Sequence, residues 1–502
     1  MSSAAGLDGN VKGTGRIMQG AHEFRHYEEL PGQNGRAINF RAERVKARSL
    51  FPKLRPILEV DAEALDLENV SLSGMAVLTD RDAEWSKDAG STVPIRLTLA
   101  ESVLYDGCGE VRWCEKTPFG TKIGLRFKSG VLDIDALRST HNDLALRQRL
   151  FGDWEENRRL VDPRYRQICA DIVETLRTYR AALESFERQS VERPEAMAGF
   201  AADCEKRLLA KWRDFWFRSN DLLRPVIDDP RRLAATKEFT ERLLTPELMD
   251  GPIWRRSYEK PLGYPGDYKI MQYAYDFEPE GDSAYGRLVH RLGLEAAECI
   301  ATRKNMMTST IAQMVAESDG SEPVRMVSLG CGPARELSDY LAAGRPPRPL
   351  AATLIDQDAD ALSQAQRDLY PHQLSTGGMV DVRALQASFT QILKPGSIFR
   401  DIPPQDLIYS VGLIDYLTDH RAQALVAALF GKLAPGGRLI VGNMRDTRIG
   451  NLWPMEFLTD WSLYYRSQAG MLAMAERIEP ARKWLEPDPT GRVYMLSLEK
   501  AR

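Results

Sequence analysis

The apolar run Val324-Arg325-Met326-Val327-Ser328-Leu329 breaks into Gly330-Cys331-Gly332-Pro333-Ala334 and turns helical near Glu336. That succession points the second half of the chain towards an α/β domain. Closely spaced glycines at the carboxyl end of a strand let the backbone turn sharply and leave no side chain between a ligand and the main chain. A second apolar run, Leu350-Ala351-Ala352-Thr353-Leu354-Ile355, ends on Asp356, where an acid at a strand tip hydrogen-bonds a ribose diol. Ala334 replaces the third glycine of the dinucleotide pattern, and no basic group for a diphosphate stands nearby. An adenosyl group without phosphates therefore suits this loop better than a dinucleotide.

Further along, Asp406-Leu407-Ile408-Tyr409-Ser410-Val411-Gly412-Leu413 reads as a buried strand running into a ligand-facing loop. Leu433 to Val441 supplies a helix end, a turn and a fifth strand. Ala481 to Glu486 and Val493 to Leu498, joined by Pro487-Asp488-Pro489-Thr490-Gly491, form a closing hairpin. On these motifs the region from about Lys304 to Arg502 resembles a class I S-adenosylmethionine-dependent methyltransferase. The resemblance implies a doubly wound α/β sheet. It places the methionine moiety of S-adenosyl-L-methionine at Leu329, Gly330, Cys331 and Gly332, and the ribose at Asp356. The adenine falls at Ala387 and Ser388, and Gln357, Ser410, Val411 and Gly412 complete the cofactor contacts.

The amino-terminal part has another texture. After a flexible arm over residues 1–40, residues 41–130 show short β-type runs and frequent turns, the pattern of a small β-barrel. Asn69, Ser71 and Gly74 lie on a short polar bend, and Arg44 and Arg48 have an Arg-x-x-x-Arg spacing. This combination resembles the PilZ domain and implies that cyclic di-GMP is held by Arg44, Arg48, Asn69, Ser71 and Gly74, with Arg41 as a further contributor. Guanidinium forks suit phosphates and the guanine edge. The stretch Ser49-Leu50-Phe51-Pro52-Lys53 does not read as a clean strand.

Residues 131–250 turn to helical spacing. Asp162-Pro163 starts a helix with Ile168, Ile172, Leu176, Tyr179, Leu183 and Phe186 on one face, and Leu208, Leu209, Trp212, Phe215 and Trp216 mark another. We read this as a helical connector that packs on the catalytic domain, supports a homodimer or transmits a signal. Residues 251–502 then comprise a lid and the methyltransferase domain. The lid, Glu259 to Met271, carries two prolines, two glycines and two tyrosines, and Tyr264 and Tyr268 are candidate cofactor contacts. This stretch, with Asp460 to Arg466, resembles bacterial methyltransferases that make 3-hydroxypalmitic acid methyl ester.

A carboxylate acceptor is already ionised at neutral pH and needs no general base, only alignment and exclusion of water. Asp415 and Tyr416 stand near the expected reacting end, with His420 as a base for a hydroxyl acceptor. Arg445, Arg466, Trp461 and Tyr465 are candidates for the substrate, with Trp453, Met455, Phe457 and Leu458 lining an apolar slot. The expected function is methylation of a fatty-acyl carboxylate or similar small acid, under control of cyclic di-GMP. The alternatives are a catalytically silent cyclic di-GMP effector and an O-methyltransferase on a hydroxylated small molecule. A net charge of −4 over 502 residues gives no general attraction to nucleic acid. No apolar run reaches the roughly 20 residues of a membrane span, so a cytoplasmic protein is expected. The six cysteines and six histidines are scattered without metal-ligand spacing, and no metal is expected.

Overall fold

The computed structural model describes residues 28–31, 37–40, 44–51, 54–79, 85–117, 120–151, 154–189, 193–262, 264–318, 321–387 and 401–502. The chain divides into two units, residues 1–150 and 151–502.

In the first unit, β1 (Glu28–Pro31) and β2 (Ala37–Phe40) pair with each other alone. The main sheet is antiparallel and contains β3 (Val45–Lys46), β4 (Ile57–Val60), β5 (Glu63–Ala64), β6 (Asp66–Ser71), β7 (Gly74–Leu78), β8 (Thr92–Leu99), β9 (Ser102–Thr117) and β10 (Gly120–Phe127). Its order is β3-β6-β7-β10-β9-β8-β4-β5. β8 shows the period-two logic: Val93, Ile95, Leu97 and Leu99 are buried and join one core. A closed barrel was expected, but among the described residues no ladder joins β3 to β5, so the sheet is open. Closure needs a partner on both sides of every strand. Here both end strands are two residues long, and the chain after β3 becomes the helical turn Ala47–Leu50. The helix Ile134–Phe151 belongs to this unit. Its Leu137 enters the same core, and His141 Nε2 accepts the Leu54 N–H at 3.2 Å.

The second unit is built on β11 (Val324–Leu329), β12 (Leu350–Asp356), β13 (Val380–Gln386), β14 (Gln405–Ser410), β15 (Leu433–Met444), β16 (Arg482–Pro487) and β17 (Val493–Glu499). The order is β13-β12-β11-β14-β15-β17-β16; the first five strands are parallel, and β17 runs antiparallel to both neighbours. This is a mixed, mostly parallel sheet. Alternate residues feed two cores: Val324 and Met326 enter one, Val327 and Leu329 the other. Helices therefore cover both faces, and the β strands read as nearly continuous apolar runs. The long helix Ala284–Glu317 lies in the first core, and the helix Asp419–Gly431 in the second. Chain order reverses at β11, which sits between β12 and β14, so a crevice is expected outside its carboxyl end.

Beyond Ile134–Phe151, the helices Pro163–Gln189, Pro194–Leu223 and Pro230–Leu243 bury their apolar stripes in the core shared with the sheet. Trp453 is the meeting point. Its ring centroid lies 5.0 Å from that of Trp212, its Nε1 donates to Tyr165 Oη at 3.0 Å, and its backbone N–H donates to Asn220 Oδ1 at 2.9 Å. Trp453, Met455, Phe457 and Leu458, expected in a substrate slot, lie on one π-helical turn, Trp453–Leu458, and are buried in this core. Helices that pack on the turn take up the apolar surface the slot would have used.

Candidate functional site

The floor of the crevice is the loop after β11. Gly330, Gly332 and Ala334 all have positive φ, at 65°, 52° and 49°. The Gly330 and Cys331 N–H groups both donate to Ile355 O, at 2.8 and 3.2 Å, fastening the loop to the end of β12. Asp356 completes the clasp: Oδ2 accepts the Gly332 N–H at 2.9 Å, and Oδ1 accepts the Asp358 N–H at 3.0 Å. Burial raises the Asp356 carboxyl above the usual range, and these two N–H groups oppose the rise. Tyr264 Oη donates to Asp358 Oδ2 at 2.7 Å, bringing the predicted lid to the expected ribose end. Ala387 donates its N–H to Asp356 O at 2.9 Å, and Gln357, exposed, accepts Gln386 Nε2 on its carbonyl. Ser410 is buried, and its hydroxyl donates to Leu329 O at 2.8 Å, so it ties two strand ends together. Ser388 lies outside the described residues.

The cover comes from the helix Tyr268–Asp276. Its N-cap, Asp267, is buried, receives the Lys269 and Ile270 N–H groups, and accepts Arg256 Nε on both oxygens at 2.9 and 2.8 Å. Met271 projects onto the loop: a Cβ added to Gly332 would stand 2.5 Å from its sulfur. At Gly266 an added Cβ would meet the Trp461 ring at 2.3 Å. Trp461 Nε1 donates to Tyr416 Oη at 3.0 Å, so Tyr416, Trp461 and the lid form one contact set. Tyr268 is the first residue of the covering helix.

Between floor and cover lies a cavity of about 30 Å³ lined by Met271, Tyr275, Arg303, Gly330, Cys331 and Gly412, with Val411 beside them. Such a space holds about one water, whereas small-molecule pockets run to roughly 300–1,000 Å³. Met271 and Tyr275 occupy the space above the loop, so the cavity as it stands is smaller than a small-molecule site.

Asp415 stands just past β14 and is 2 % exposed. Its Oδ1 accepts the Met444 N–H at 2.6 Å, and Oδ2 lies 3.8 Å from Arg303 Nη1. Burial pushes its carboxyl up to about 6, with Arg303 pulling the other way. Three of the sequence-selected substrate residues go elsewhere. Arg466 is buried, and its Nε, Nη1 and Nη2 all donate within the protein, to Asp419, Ile414 O, Asn443 Oδ1 and Leu417 O. Arg445 donates to Gly491 O at 2.8 Å and lies over the Tyr494 ring, at the closing hairpin. Tyr465 Oη reaches Asn451 O at 3.4 Å. These side chains are used inside the fold because the loops after β14 and β15 and the β16–β17 turn have backbone carbonyls that need donors. His420 is the second residue of the helix Asp419–Gly431 and does not line the cavity.

Sequence reasoning missed Arg303, Met271 and Tyr275 as lining residues. A signal for Arg303 existed: it falls on the stripe Cys299, Ile300, Met307, Ile311, where a lone charge among apolar positions is unusual. In the first unit, Arg44 Nη1 donates to Asn69 Oδ1 at 3.0 Å, and Ser71 Oγ donates to Gly74 O at 3.1 Å across the tight β6–β7 turn. The Arg48 side chain and Arg41 lie outside the described residues.

No family model matches the chain, and no curated protein matches it. Several solved structures are similar. A possible exported protein of Bordetella parapertussis is 18 % identical, with 54 % of this chain and 97 % of that one covered and a TM-score of 0.39. Magnesium protoporphyrin IX methyltransferase of Synechocystis PCC 6803, with bound SAM, is 14 % identical over 41 % of this chain and 84 % of that one, with a TM-score of 0.30. The S-adenosylmethionine-dependent methyltransferase SibL is 16 % identical over 55 % and 76 %, with a TM-score of 0.32. Scores this low add nothing to the strand order, on which the fold rests. Among the described residues, no helix is long and apolar enough to cross a membrane.

Proposed function

We propose that the second unit transfers the methyl group of S-adenosylmethionine to a fatty-acyl carboxylate or a similar small acid. The observation that carries this reading is the clasp of Asp356 on the Gly332 N–H at the point where strand order reverses. A carboxylate has about four lone-pair sites, and the backbone N–H groups of Gly332, Gln357 and Asp358 draw on three of them, so Asp356 keeps some acceptor capacity for a ribose hydroxyl. The positive φ of Gly330 and Gly332 turns the chain away from that side. Methyl transfer from a sulfonium is an in-line displacement: the acceptor oxygen forms a bond to the methyl carbon as the carbon–sulfur bond breaks, leaving neutral S-adenosylhomocysteine. The protein's task is to align the two groups and keep water out, and a crevice closed by Met271 and Tyr275 suits the second of these. Calorimetry of the full chain with S-adenosylhomocysteine is expected to show one saturable site. Incubation with S-adenosylmethionine and a panel of acyl acids is then expected to add about 14 Da to one of them, which mass spectrometry reads. No binding of either sulfur compound would overturn the proposal.

A regulatory role for the first unit, with cyclic di-GMP as its ligand, is supported by the 3.0 Å approach of Arg44 to Asn69, which brings the two predicted segments together. Titration with cyclic di-GMP is expected to show binding that Arg44→Ala weakens at least tenfold, while S-adenosylhomocysteine affinity without the messenger is unchanged. Absence of binding to the unaltered chain would remove this role.

A further inference from the structure

Arg303 has an unusual position in the long helix. It is 7 % exposed, and its Nη1 is buried without a hydrogen-bond acceptor. Leaving a buried guanidinium nitrogen unpaired is costly, and the cost is expected to be met by a partner when the molecule works. The nearest carboxylate, Asp415, stays at 3.8 Å, beyond hydrogen-bonding distance, because its other oxygen is held by the Met444 N–H at 2.6 Å. The guanidinium lies against Gly412, where an added Cβ would be 2.9 Å from Nη2, and it lines the cavity between the ends of β11 and β14. The other charged lining residues are committed. Lys304 Nζ is paired with Asp339 at 2.5 Å, and Glu336 accepts the Tyr409 hydroxyl at 2.8 Å.

We infer that Arg303 is a carboxylate receptor inside the crevice, its Nη1, ion-paired with Asp415 at 3.8 Å but without a hydrogen-bond acceptor, awaiting an oxygen that a ligand brings. The inference rests on the methyltransferase reading and deepens it. A planar guanidinium meets a carboxylate with two parallel N–H groups, which fixes orientation as well as position. Two carboxylates reach such a site in this chemistry: the amino-acid end of the methyl donor, and the acid that accepts the methyl group. Arg303 acts on either through the same nitrogens.

The test compares S-adenosylhomocysteine with 5′-methylthioadenosine, which keeps the adenosine and the sulfur but lacks the amino-acid carboxylate. If Arg303 holds the donor, Arg303→Gln weakens S-adenosylhomocysteine by at least about 30-fold and leaves 5′-methylthioadenosine unchanged. If it holds the acceptor, both nucleosides bind as before and KM for the acid rises by a similar factor while kcat falls less. Arg303→Lys, which keeps the charge and loses the fork, is expected to recover part of the loss in either case. It also serves as the reporter if the Gln variant does not fold. An equal effect on both nucleosides, or no effect on either nucleoside or on KM, overturns the assignment. Failure of the unaltered protein to bind either nucleoside counts against the methyltransferase reading instead.

Discussion

Asp356→Asn is expected to weaken S-adenosylhomocysteine binding by about 100-fold, close to 2.7 kcal/mol, and to lower turnover accordingly. The substitution keeps the shape and one acceptor, but it sets an amide NH₂ against either the Gly332 N–H or the Asp358 N–H, both of which now find carboxylate oxygens at 2.9 and 3.0 Å. The loop loses one clasp, and the ribose loses its anionic acceptor. Global stability changes less, because the variant also removes a charge that burial disfavours. Asp356 has a raised carboxyl in the fold, so its contribution to stability is fully present below the unfolded value of 3.8 and fades as pH rises above it. The amide has no such dependence, so variant and parent should differ most favourably for the variant at neutral pH. Isothermal calorimetry at pH 7 reads the affinity, and an unchanged Kd would remove Asp356 from the ligand site.

Arg466→Met is expected to destabilise the second unit by about 3–5 kcal/mol, the range for breaking a buried charged network. Its guanidinium is the shared donor for Ile414 O and Leu417 O, on the loop that follows β14, and for Asn443 Oδ1 at the end of β15. Methionine fills the volume but leaves those oxygens buried without it. Little of the cost comes from Asp419, whose carboxylate is 70 % exposed and contributes as a surface pair does. Urea unfolding followed by tryptophan fluorescence should show the loss as a lower midpoint at similar slope. A change below about 1 kcal/mol would return Arg466 to the list of ligand contacts.

Much of the second unit was legible in the chain. The strand ends at Leu329, Asp356 and Ser410 fall where the apolar runs stop, because a strand buried on both faces has to be apolar throughout and its end is therefore abrupt. The closing hairpin at Pro487–Val493 was also readable from its turn residues. The open first sheet was not, since closure depends on which distant strands pair, and two-residue strands leave almost no pattern. The substrate candidates misled for a related reason. Arg466 and Trp453 have the side chains that ligands require, and those same groups satisfy long-range needs inside a fold, 52 and 288 residues away in sequence. Arg303 gives a weak signal because it belongs to the middle of a long helix, where a charged residue ordinarily faces solvent.

The placement of Met271 over Gly332, with its helix pinned by Arg256 to Asp267, bears on kinetics. When the occupied form exists only after a covering element has swung aside, the observed on-rate stops rising with ligand concentration and levels off at the opening rate. Apparent affinity is then scaled by the fraction of molecules already open. Loosening the Arg256 tether should therefore raise that plateau, and a rapid-mixing trace would report the element's own clock.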